Sequence, residues 1–120
     1  MGLRDKYPKL SNLIGGYLHQ DWKDDYDWNG KDFHYIPVVR FFKTHNPQTT
    51  VEQAVRELEE FLALNLDEEH LEDALYHHFA LGTMPSYWGF TFREWLEDVL
   101  KILEEPMKKT KEEFIPEFIG

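Results

Sequence analysis

The sequence predicts an all-α fold, a single-domain bundle of about five amphipathic helices with short loops. Three observations carry this. Apolar residues recur at helical spacing (i, i+3, i+4, i+7) in several separate stretches. Helix-start signals precede those stretches and prolines end or separate them: Pro47, Pro85 and Pro106. The chain has 120 residues, 42% of them hydrophobic and 16% aromatic, and no cysteine. A chain of this size buries enough core to fold without disulfide or metal, and residues 1–120 read as one domain.

The first helix is expected from about Pro8 to about His19. Proline suits the first turn, where a missing N–H breaks no hydrogen bond. Leu10, Leu13, Ile14, Tyr17 and Leu18 form its apolar face, and Asp21 continues the spacing. Gly15-Gly16 costs about 1 kcal/mol per residue relative to alanine, which points to another backbone approaching there. Asp21–Asp32 reads as a polar loop turning at Asn29-Gly30. The next segment, Ile36–Thr44 with Pro37 in its first turn, is expected to be helical. Its β-branched and aromatic content also fits a strand.

After Asn46-Pro47, Thr50 and Gln53 have the spacing of a capping box. Val51, Ala54, Val55, Leu58, Phe61 and Leu62 then stripe a helix to about Leu64. Asp67 reads as the next N-cap, with Glu68 and Glu69 in the first turn, where the helix dipole favours acids. Leu71, Ala74, Leu75 and Phe79 form the buried face, and His78 is expected to make a core hydrogen bond. Gly82–Gly89 reads as a loop. Thr91 and Glu94 form a second capping box, followed by the stripe Phe92, Trp95, Leu96, Val99, Leu100 and Leu103. The tail 106–120 keeps Phe114, Ile115, Phe118 and Ile119 and is expected to pack on the body.

The net charge is −10, unevenly placed. Residues 46–105 carry fourteen acidic and three basic side chains, net −11. Such a field disfavours nucleic acid, which is bound through Lys and Arg. It attracts basic proteins and speeds their association, and it also keeps a small protein soluble. The opening MGLRDKYPKL contains no apolar signal core, and no run approaches the roughly 18 residues of a membrane span. The expectation is a cytoplasmic protein without membrane contact.

Residues Tyr7–Trp22 read YPKLSNLIGGYLHQDW. This opening resembles the immunity proteins of contact-dependent growth inhibition, the CdiI-type family. The resemblance rests on Tyr7, Pro8, Leu10, Gly15, Tyr17, His19, Gln20, Asp21 and Trp22. It continues through Thr50–Leu64, Asp67–Ala80 and the FREWL helix at Phe92–Leu96, covering roughly residues 7–103. It implies a protein that binds and neutralises the toxic C-terminal domain of a cognate CdiA-type effector, commonly a nuclease. A nuclease cleft that holds phosphates is usually positive. The acidic surface of Glu57, Glu60, Asp67, Glu68, Glu69, Glu72 and Asp73, with the loop Asp24, Asp25, Tyr26, Asp27 and Trp28, is therefore the expected toxin-binding face. The alternative is a small acidic helical adaptor or regulatory subunit without a toxin partner.

Catalytic readings find little support. His70, Asp73 and His77 share a helix face, but no HExxH pattern makes them a zinc site. His19 with Asp21 lacks a nucleophile, since Ser11 and Ser86 sit outside any nucleophile motif. His19, Gln20 and Asp21 read instead as groups that satisfy the helix end. Tyr87-Trp88 forms a second aromatic loop. No catalytic residue, metal or cofactor is expected.

Overall fold

A computed structural model describes residues 2–106 and 114–119. The elements follow in order: α1 (Leu3–Lys6), α2 (Pro8–Ser11), β1 (Tyr26–Asp27), α3 (Tyr35–His45), α4 (Gln48–Ala63), α5 (Glu68–Asp73), α6 (Phe92–Glu104) and β2 (Glu117–Phe118). Both α2 and α5 run on into wider π-helical turns, Asn12–Tyr17 and Ala74–His78, and a 3-10 turn covers Pro85–Trp88. The all-α expectation holds, with one addition among the described residues. β1 and β2 pair antiparallel, Tyr26 opposite Phe118 and Asp27 opposite Glu117.

The apolar stripes do what their periodicity requires. α4 packs against α2 and α6, and α3 and α5 also lie on α6. Tyr7, Leu10, Leu13, Ile14, Leu18, Trp22, Leu58, Phe61, Phe79, Trp95 and Leu96 meet in one core. Phe61 stands edge-on between Tyr7 at 5.7 Å and Phe79 at 5.5 Å, a favourable aromatic geometry. The segment 35–45 is helix rather than strand. His34 starts it by accepting the Ile36 N–H on Nδ1 at 3.1 Å.

Gly15 meets another backbone, as its position suggested. A Cβ there would stand 2.5 Å from the Phe79 carbonyl oxygen. Gly16 faces only Asn12 of its own helix. A second close approach falls at Gly82, where a Cβ would lie 2.1 Å from the backbone of His19. The Gly82 N–H donates to the Leu18 carbonyl at 2.7 Å. Between these contacts Ala80 turns left-handed, φ 59°.

Several local expectations are corrected. The Thr50/Gln53 capping box does not form. α4 starts earlier, at Gln48 after Pro47, and Thr50 lies inside its first turn. Gln53 donates to Glu57 instead, at 2.7 Å. His78 is exposed rather than buried. The π turn bonds the Phe79 N–H to the Ala74 carbonyl, five residues back, so Phe79 takes the core position. The Asp67 cap and the Thr91/Glu94 capping box form as read. Residues 107–113 of the tail lie outside the described residues. Beyond them, Phe114 lies 6.3 Å from Trp28, Phe118 lies 5.9 Å from Tyr26, and the Ile119 N–H donates to the Asp25 carbonyl at 2.7 Å.

Candidate protein-binding surface

The Asp-rich loop divides. Tyr26 and Trp28 are 4% and 6% exposed, so neither ring is offered to a partner. Tyr26 stands 5.3 Å from Phe41, and its burial raises the pKa of its hydroxyl. The Trp28 indole N–H donates to the Lys23 carbonyl at 2.9 Å. Asp25 is half-buried and holds the His19 ring, so it ties the helix end to the loop. His19 also accepts the Asp21 N–H at 3.1 Å. The His19 ring is thus committed to local backbone and loop groups, while Gln20 and Asp21 are exposed. Asp24 and Asp27 are exposed, and Asp27 additionally accepts the Asn29 N–H at 2.9 Å to shape the turn.

The helix acids divide in the same way. Glu57 is 6% exposed and faces inward. Its Oε1 accepts the Lys9 N–H at 2.8 Å and the Leu10 N–H at 3.0 Å. These amides open α2, where no preceding turn can bond them. Glu57 caps a helix other than its own and cannot present its carboxylate to a partner. Glu68 does the same for α6, accepting from Phe92 N at 2.7 Å and Arg93 N at 3.1 Å, but it remains exposed.

Asp67 accepts the His70 backbone N–H at 2.9 Å and also bonds the His70 ring. The backbone bond, then the ring bond, hold the Asp67 carboxyl below its usual range; Asp67 in turn raises His70. Glu60, Glu69, Glu72 and Asp73 are exposed, with Asp73 lying 3.6 Å from His78. Among the described residues, no three His, Asp or Glu side chains come together in a way that could hold a metal ion. No helix among them is long and apolar enough to cross a membrane.

One surface feature was only half legible. Tyr87 and Trp88 stood out in the sequence, but Phe33 and Lys23 did not. The fold brings all four together with Trp22 and Thr83 around a cleft of about 310 Å³. A solvent-exposed aromatic just before a helix carries no pattern of its own, so Phe33 gave no signal.

The fold and this surface define a small, acidic, all-α protein. Residues 6–103 match the family model described as CdiI immunity protein, and the chain belongs to that family. A solved structure described as a CdiA-CT/CdiI complex from Y. kristensenii 33638 contains a chain of similar fold. Its TM-score is 0.74 at 24% identity, covering 88% of this chain and 100% of that one. No curated protein matches.

Proposed function

We propose that this protein binds and neutralises the toxic C-terminal domain of a cognate CdiA-type effector, in the cytoplasm, by covering it with an acidic surface. The observation that supports this reading is membership of the immunity family in a chain whose residues 46–105 carry net −11. The toxin fits a basic nuclease. Its phosphate-binding cleft would be positive, and the exposed Asp24, Asp27, Glu60, Asp67, Glu68, Glu69, Glu72 and Asp73 would stand in for phosphates. In the barnase–barstar pair one aspartate dominates binding in this way. The action is occlusion, not catalysis, and opposite charge raises the rate of encounter.

Co-expression with the C-terminal domain of a CdiA-type effector from the same genome tests the reading. The two chains should co-purify, and cells making both should survive. Survival without complex formation would overturn the proposal. The association rate should fall steeply as salt rises; a rate indifferent to salt would remove the electrostatic part.

A further inference from the structure

Lys23 occupies an unusual position. Its loop holds Asp21, Asp24, Asp25 and Asp27, yet among the described residues no carboxylate pairs with its ammonium. Its Nζ lies instead over three aromatic rings: Phe33 at 5.5 Å, Trp22 at 5.8 Å and Tyr87 at 5.9 Å. These rings come from the loop after α2, the residue before the cap of α3, and the 3-10 turn. With Thr83 and Trp88 they line the cleft of about 310 Å³.

The walls of the cleft are backed by further rings. Trp28 stands 5.7 Å from Trp22 and 5.4 Å from Phe33. Trp88 rests 4.8 Å from Tyr35, which is fully buried. On the lips, Phe33 is 50% and Tyr87 66% exposed. Exposed aromatic rings on a fixed backing lose little entropy on binding and are the usual anchors of protein interfaces.

The charge selects what enters. Lys23 is exposed, and among the described residues its N–H donors have no carboxylate to bond. An anionic group arriving there gains a charge-assisted hydrogen bond. A small anion in solution is repelled by the chain's net −10. A carboxylate fixed on a basic protein avoids that repulsion, because the rest of the protein is attracted.

We propose that this cleft seats one acidic side chain of the toxin domain, its carboxylate on Lys23 and its aliphatic stem between Phe33 and Tyr87. The proposal rests on the immunity reading above. It makes the interface two-signed: acids on the helices meet the toxin's basic surface, and Lys23 meets one acid on it. Such a pairing sets the register of a complex that bulk charge alone leaves free to slide.

The test is the affinity for the C-terminal domain of the CdiA-type effector that the co-expression experiment pairs with this protein, measured by calorimetry on variants shown by circular dichroism to be folded. Tyr87→Ala should bind roughly thirty-fold more weakly. Lys23→Glu should lose roughly a hundred-fold or more, and Lys23→Arg should stay near the parent. A lysine replacing the matching acid on the toxin should restore binding to Lys23→Glu. If the parent binds while Tyr87→Ala and Lys23→Glu bind as well as it does, the cleft proposal falls and the immunity reading stands. If the parent does not bind, both fall. If Tyr87→Ala only converts a dimer of this chain to monomer, the cleft is a self-association site and the proposal is overturned.

Discussion

Two regions of this protein are rich in polar groups and use them differently. At the seam where α2 meets α4 and residues 79–82, polar groups are turned inward. Glu57 holds the first amides of α2, and Gly15 and Gly82 let backbones approach. Along Asp67–Asp73 and the Pro85–Trp88 turn, carboxylates and an aromatic ring face solvent. Glu57 and Glu68 make the comparison sharp, because each caps a helix to which it does not belong. Burial, not charge, separates scaffold from surface here. A buried carboxylate that holds one buried and one half-buried amide cannot be exchanged cheaply. An exposed one can serve both the fold and a partner.

The seam should break most severely at Gly82. An added methyl would stand 2.1 Å from the His19 carbonyl carbon and 2.3 Å from Gln20 N, neither of which can rotate away. Gly82→Ala should cost about 3 kcal/mol or more in chemical denaturation. A loss below about 1 kcal/mol would mean the 79–82 turn moves easily, and the seam would not be the rigid region.

The two capping glutamates give the next largest effect. Glu57→Ala leaves two amide donors unbonded where water reaches poorly, costing about 3 kcal/mol. Glu68→Ala leaves α6 with its Thr91/Glu94 capping box intact and should cost less than about 1 kcal/mol. Urea melts of the pair decide it. Equal losses would remove burial as the distinction, and a toxin-binding defect confined to Glu68→Ala would strengthen it.

The seam explains what the sequence could reveal. The apolar stripes of α4 and α6 were legible because helical burial repeats every three to four residues. Gly15 was legible because glycine inside a helix needs a reason. Glu57 was misplaced although a signal existed: it lies between Ala54 and Phe61 on the face the stripe buries. Reading it by charge hid this. The β1–β2 pair was not legible, since strands of two residues owe their existence to a partner some ninety residues away. His78 was lost to the π turn, which shifts the spacing by one residue. At the surface, the exposed acids were legible one by one. The Lys23 cleft was not, because it depends on three loops meeting.

The weakest effect lies between the two regions, at His34. This residue caps α3 through a neutral Nδ1 acceptor and stacks on Tyr35 at 4.8 Å, beside the cleft wall at Trp88. Burial lowers its pKa; Asp98 opposes the shift and Arg40 adds to it. The folded chain therefore binds fewer protons here than the unfolded chain, whose histidine titrates near 6.5. Stability from this group is complete above that value and declines as pH falls through it toward the lowered folded pKa. Protonation would also remove the acceptor that starts α3. His34→Asn keeps a capping oxygen but does not titrate. Urea midpoints at pH 7.5 and 5.5 should fall less for this variant than for the parent, whatever the other histidines contribute to both. Identical pH slopes would show that His34 is solvated well enough to charge in place. The cap of α3 would then belong with the exposed face, not with the seam.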